Sequence, residues 1–103
     1  MTLRITRDRA SRSRARVRLE GSISAEWAEL LELECALLLR SSSAVSLDLA
    51  GVGFVDCAGV EALRRLGLAG VEIHCPPGPV ASVLDGEGIR VAPDADTERL
   101  DRI

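Results

Sequence analysis

Several residue types are scarce or missing in this 103-residue sequence, and each shortage excludes a class of protein. Tyrosine is absent, and Trp27 and Phe54 are the whole of the Phe, Trp and Tyr content, so the rings on which nucleic-acid bases stack are missing. The three cysteines, Cys35, Cys57 and Cys75, are an odd number without C-x-x-C spacing. This pattern indicates neither a disulfide framework nor a zinc site, and we expect reduced thiols, no metal, no cofactor and a cytoplasmic protein.

Long apolar segments and nucleotide-binding motifs are also missing. Runs such as residues 36–39 are far shorter than the roughly 20 residues that span a bilayer, and the first residues lack the apolar core of a signal peptide. The Gly-x-Gly at Gly51 and Gly53 lacks the rest of a dinucleotide fingerprint, and no Gly-Lys-Ser/Thr follows. We therefore expect neither membrane insertion nor nucleotide hydrolysis.

The charge of the chain is unevenly distributed. Residues 1–20 contain seven arginines against Asp8 and Glu20, whereas the remainder contains six arginines against fourteen acidic residues. A basic arm could bind nucleic acid or anionic lipid, but arginines that point outward from a solvated edge strand give the same pattern. Because no phosphate-binding motif accompanies the arginines, we favour the second interpretation and expect no nucleic-acid partner.

The residues that are present form short apolar patterns of a single domain. Alternating apolar residues predict paired strands at residues 2–6 and 15–19. A helix is predicted over residues 25–39, with Ser22 or Ser24 as its cap. Its apolar stripe, expected to face the sheet, consists of Trp27, Leu30, Leu31, Leu37 and Leu38. Leu33 and Cys35 widen the apolar surface, which could indicate a partner contact, but we favour core at the edge of the stripe.

The second half of the chain repeats the alternation of strand and helix. A strand at residues 44–49 is followed by a tight loop at residues 51–59, and Asp56 caps a helix that reaches about residue 66. The next strand is predicted at 71–75. A short helix follows at 80–84, and 89–91 are an optional last strand.

The order β-β-α-β-α-β-α, with that optional strand, predicts an α/β fold. We expect a mixed sheet of four to five strands with helices packed on it. The whole chain, residues 1–103, is expected to be one domain with a core of about 3–91 and a frayed tail at 92–103.

Residues 47–63 read LDLAGVGFVDCAGVEAL. This segment resembles the signature of the STAS family, the domain of anti-sigma-factor antagonists and of sulfate-transporter tails. The signature is a strand ending in Asp, a hydrophobic loop, and then Asp-Ser/Thr-x-Gly at the start of a helix. VRLEG at residues 17–21 and GVEI at 70–73 resemble the strands that flank it in the family. The similarity covers about residues 3–90.

The resemblance implies a STAS-like sandwich and a non-enzymatic module that binds a regulatory protein. The implied partner is an anti-sigma factor or kinase-like regulator in bacterial signalling. In phosphorylatable members the Ser or Thr after the signature Asp accepts phosphate, but Cys57 occupies that position here, so we expect no phosphorylation there. The residues implied to bind the partner are Gly21, Ser22, Gly53, Phe54, Asp56, Cys57, Ala58 and Gly59.

Two other functions remain open at this point. Stand-alone STAS proteins also resemble accessory subunits of ABC-type transporters, in which case the partner is the transporter's ATPase. Cys57 could instead be a thiol sensor, because thiols at helix starts are often reactive. Whether Asp56 only caps its helix or is also contacted by a partner, and whether the protein forms a homodimer, are likewise open.

An enzyme would have to combine Cys57 or Cys75 with His74, the single histidine. His74 and Cys75 are neighbours at the end of a predicted strand, so their side chains should point to opposite faces of the sheet. Such an arrangement does not form a nucleophile–base pair. The sequence therefore predicts a protein that is not an enzyme.

Overall fold

The computed structural model describes residues 2–9 and 13–92. Their elements follow the predicted order β-β-α-β-α-β-α. The four strands form a single sheet in the order β1-β2-β3-β4, in which β1 runs antiparallel to β2 while β2, β3 and β4 are mutually parallel. The elements are β1 (Leu3–Arg9), β2 (Arg14–Ile23), α1 (Ala25–Ser41), β3 (Ala44–Val55), α2 (Cys57–Leu68), β4 (Glu72–His74) and α3 (Pro79–Gly86).

The core lies on one face of the sheet. Leu19 on β2 and Leu47 on β3 are completely buried, as the alternating pattern predicts, whereas Arg18 and Asp48, on the opposite face, meet at 3.9 Å. The helices supply the other half of the core, and a single apolar cluster joins sheet and helices. Its fully buried helical members are Leu31, Cys35, Leu63 and Leu84.

The ends of β2 and β3 differ from the prediction. The second strand was predicted at residues 15–19, and residues 51–59 were predicted to form a loop, but β2 continues to Ile23 and β3 to Val55. Gly21 remains in the strand with a φ of +108°, and a Cβ there would collide with the carbonyl oxygen of Thr2. The prediction was wrong because pairing between β2 and β3 continues beyond the glycines, as far as Ile23 and Val55, and keeps both segments extended.

Two bulges allow β3 to stay paired with β2. The register shifts between Arg18 and Glu20 and again at Ser22, and each shift accommodates one extra residue of β3. At the first bulge the carboxylate of Asp48 accepts a hydrogen bond from the backbone N–H of Ala50 at 3.0 Å. This bond satisfies a donor that the interrupted ladder leaves available.

The orientation of α1 also corrects the prediction. Ala28, Leu31 and Cys35 are buried, whereas Leu30, Leu33 and Leu37 are 41%, 57% and 48% exposed. The helix is apolar on two faces, so its pattern alone could not identify the inner one. The sheet and α2 cover only the face that carries Cys35.

The optional last strand is reduced to a single bridge. Ala92 pairs with His74 in parallel, accepting a hydrogen bond from Cys75 N and donating one to Ile73 O, both at 2.8 Å. Ile89 is buried in the core without belonging to a strand. The rest of the predicted frayed tail, residues 93–103, lies outside the described residues.

Candidate functional site

The candidate site is centred on Asp56, which stands between β3 and α2. Its backbone is extended, with φ −90° and ψ −177°, and its Oδ1 atom accepts a hydrogen bond from Gly59 N at 2.8 Å. The predicted capping role is therefore confirmed. Its second oxygen, Oδ2, accepts a hydrogen bond from Ala25 N at 3.0 Å, although the two residues are 31 positions apart. One carboxylate thus joins the starts of α1 and α2.

This arrangement replaces the cap predicted for α1. Ser24 occupies the N-cap position, but its side chain makes no capping hydrogen bond, and its carbonyl oxygen accepts from Trp27 N and Ala28 N. Ser22 lies within β2, opposite Phe54. The carboxylate of Asp56 provides the side-chain acceptor instead, and its negative charge lies at the positive ends of two helix dipoles.

Gly59 allows α2 to pack directly on the end of β2. A Cβ at this position would collide with the carbonyl oxygen of Ile23 and would lie 2.9 Å from the Val55 side chain. The same carbonyl accepts a hydrogen bond from Asp56 N at 3.1 Å. Gly59 is buried, so it contributes close packing to the site rather than surface.

The remaining predicted residues surround this junction at one end of the sheet. Phe54 is 45% exposed, and Cys57, Gly21 and Gly53 are exposed as well. The structure brings the end of β2 and the start of α2 together, because the carbonyl oxygen of Ile23 accepts a hydrogen bond from Asp56 N and Ser22 is paired with Phe54. We call this region the helix-start surface; it consists of Gly21, Ser22, Gly53, Phe54, Cys57 and Ala58.

The other two cysteines, unlike Cys57, are buried. Burial, reinforced by the charges of Glu34 and Glu32, raises the pKa of the Cys35 thiol to about 12. Burial also raises the pKa of Cys75, with a smaller contribution from the charge of Asp48. Since the thiolate is the reactive form, both buried thiols are poor nucleophiles at neutral pH.

His74 takes part in a local contact on β4. Its Nε2 atom lies 3.1 Å from the Glu72 carboxylate, and its side chain is buried. Among the described residues, no group of three or more His, Cys, Asp and Glu side chains is arranged to hold a metal ion. Within the same ranges, no helix is long and apolar enough to cross a membrane.

The sequence did not reveal the bond between Asp56 and Ala25. A capping residue is normally recognised by the helix that follows it, and no local pattern connects it with a helix start 31 positions earlier. The exposed leucines of α1 were also missed as surface residues. Their spacing of three and four was visible, but it was assigned to the core.

Known proteins share this architecture. The chain is similar to an anti-sigma factor antagonist from Mycobacterium paratuberculosis, with a TM-score of 0.77 and 18% identity over 92% of this chain and 89% of the other. It is also similar to the anti-sigma factor antagonist SpoIIAA in its unphosphorylated form, with a TM-score of 0.64 and 19% identity over 96% of both chains.

The phosphorylated form of SpoIIAA, a Bacillus cell fate determinant, gives a TM-score of 0.61 and 19% identity over 96% of this chain and 98% of the other. No family model and no curated protein sequence matches the chain. The mixed four-stranded sheet with three helices thus has the fold of the SpoIIAA-type anti-sigma factor antagonists, the STAS fold. At these identities the likeness establishes the fold alone.

Proposed function

We propose that this chain is a non-enzymatic interaction module that binds a regulatory protein through the helix-start surface. The observation that carries this proposal is the Asp56 carboxylate, which bonds to Gly59 N and Ala25 N and so fixes both helix starts beside the exposed Phe54 and Cys57. A surface that is already rigid loses little conformational entropy when a partner binds. The site is therefore suited to docking.

Phe54 is the residue expected to contribute most to binding. Phe54 is 45% exposed at the end of β3, whereas Trp27 is partly buried against the core. Exposed aromatic side chains frequently dominate the affinity of protein interfaces when a partner covers them. Gly53 and Gly21, both exposed, add little bulk, so a partner's backbone can approach the ring closely.

We assign the partner to the class of anti-sigma factors and kinase-like regulators, because the similar solved structures are named as anti-sigma factor antagonists. One of those structures is of a phosphorylated form. In this chain the residue after Asp56 is Cys57, which carries a thiol and is exposed at the first residue of α2. We therefore infer that its binding is not regulated by phosphorylation at this position.

The arrangement of the reactive groups supports a binding role rather than catalysis. Cys35 and Cys75 have raised pKa values because they are buried, and His74 contacts Glu72. None of these contacts activates a nucleophile at the helix-start surface. Free cysteines are typical of a reducing compartment, so we place the protein in the cytoplasm.

The test is an affinity capture from lysate of the native cells, followed by binding measurements with the purified partner. The bait proteins are the unaltered chain, a variant with Phe54→Ala and Cys57→Glu, and a matched control, Leu68→Ala. Leu68 is 83% exposed at the far end of α2, so its replacement removes apolar surface outside the helix-start surface.

We expect the unaltered chain and Leu68→Ala to capture the same kinase-like regulator, and the double variant to bind it at least about 30-fold more weakly, the loss typical of an interface hot spot. Equal capture by all three baits would disprove the role of this surface. Capture of a transporter ATPase by the unaltered chain and Leu68→Ala, but not by the double variant, would show that the partner class is wrong while the site is right.

A further inference from the structure

The outer face of α1 carries a stripe of leucines. Leu30, Leu33 and Leu37 are spaced by three and four residues, so they lie in one row along the helix. Each residue turns an α-helix by about 100°, which places Leu33 on nearly the opposite side from the buried Cys35. At 41%, 57% and 48% exposure, the three side chains form an apolar surface that the described part of the chain leaves uncovered.

Opposite charges stand at the two ends of this row. Glu26 lies one turn before Leu30, in the first turn of α1, and Arg40 lies one turn after Leu37, in the last. Both are exposed, and neither has an ion pair or a side-chain hydrogen bond within the described ranges. Two other glutamates of α1 are paired, Glu32 with Arg65 at 2.6 Å and Glu34 with Arg7 at 3.5 Å.

The row on one copy of α1 is complementary in charge and in apolar surface to the same row on a second copy that runs in the opposite direction. Its residues are Glu26, Leu30, Leu33, Leu37 and Arg40, and the central one is Leu33. We propose that the outer face of α1 binds α1 of a second copy of this chain in the antiparallel direction. Each contact then occurs twice, as required by a two-fold axis that passes near Leu33.

The charges decide the direction. In the antiparallel pair Glu26 faces Arg40 of the second copy, and Leu30 faces Leu37. In a parallel pair Glu26 would face another Glu26 and Arg40 another Arg40, and like charges across an interface are unfavourable. The contact depends only on the outer face of α1, so it does not rest on the proposed function.

The expected dimer is weak and depends on concentration. A stable interface buries about 800 Å² on each partner, which is more than a single row of three leucines provides. The surface therefore fits a reversible monomer–dimer equilibrium rather than an obligate dimer. Both species are expected to be folded, because the core of the monomer includes the buried face of α1.

Sedimentation velocity over a range of protein concentrations tests the contact. We expect the unaltered chain to shift from monomer to dimer as its concentration rises, and Leu33→Glu to stay monomeric, with at least a tenfold weaker association. Leu68→Glu is the matched control, because Leu68 is even more exposed but lies on α2. An unaltered chain that stays monomeric at every concentration, or equal association of all three proteins, would overturn the proposal.

Charge exchange tests the direction with substitutions that leave the core untouched. Glu26→Arg and Arg40→Glu should each weaken association, and the double variant should restore it, because the exchanged charges again face each other. Circular dichroism verifies that all variants are folded. Association that the single exchanges leave unchanged, or that the double variant does not restore, would overturn the antiparallel arrangement.

Discussion

Replacement of Asp56 by alanine tests whether this carboxylate holds the helix-start surface together. The change removes the acceptors of two hydrogen bonds, from Gly59 N at 2.8 Å and from Ala25 N at 3.0 Å. Loss of an N-cap costs about 1 kcal/mol, and a hydrogen bond to a charged group contributes about 1.5 to 3 kcal/mol. Because the bond to Ala25 is exposed, we expect a total loss of about 2 to 3 kcal/mol in the free energy of unfolding.

Urea unfolding followed by circular dichroism measures this loss, with the slope of the transition checking that both proteins unfold in the same way. Asp56→Asn keeps one acceptor oxygen but loses the charge, so we expect roughly half of the effect, about 1 to 1.5 kcal/mol. The control is Asp85→Ala, at an exposed position in α3. A loss below about 0.5 kcal/mol for Asp56→Ala, no larger than that of an ordinary surface substitution, would refute the assigned role.

The remaining predictions concern packing and thiols. Gly59→Ala should lower the free energy of unfolding by about 1 to 3 kcal/mol in the same urea assay, because its Cβ would collide with the end of β2. The control is Gly53→Ala, which has open space around it and should lower the free energy of unfolding by less than about 1 kcal/mol. A thiol reagent at neutral pH should label Cys57 rapidly, and Cys35 and Cys75 only after unfolding; fast labelling of all three in the folded protein would contradict their burial.

Because burial raises the pKa of Cys35 from 9.0 to about 12, its contribution to the free energy of unfolding is constant below about pH 9. This contribution is lost as the pH rises toward 12, because the thiol ionises first in the unfolded chain. The sequence has no lysine and no tyrosine, but burial raises the pKa of Cys75 as well, so Cys35→Ala should remove part of this alkaline slope in urea unfolding at several pH values. An unchanged slope would exclude Cys35 as one of its sources.

Local pattern was sufficient for the order of the elements. The alternation at Val17 and Leu19 and at Val45, Leu47 and Leu49 predicted strands whose inner faces are buried in the structure. Asp56 was recognised as a cap because the residues that prefer an N-cap are few and the helix follows directly. These features depend on neighbours in sequence. The fold implied by the resemblance to the STAS signature is the fold that the structure shows.

Other features depended on residues far apart. The sequence predicted that β3 ends near Leu49, because two glycines follow, yet pairing with β2 extends the strand to Val55. It assigned Leu30, Leu33 and Leu37 to the core or its edge, since all apolar residues of an isolated helix are equivalent until a sheet covers one side.

The sequence by itself therefore determined which segments form strands and helices and which residue starts α2. Only the tertiary structure decided how those segments meet. The carboxylate of Asp56 reaches Ala25 N because β2 and β3 are adjacent and parallel, so that the helices following them begin at the same end of the sheet. Parallel pairing brings together residues that are distant in the chain, and a local pattern of side chains does not predict which distant residues will meet.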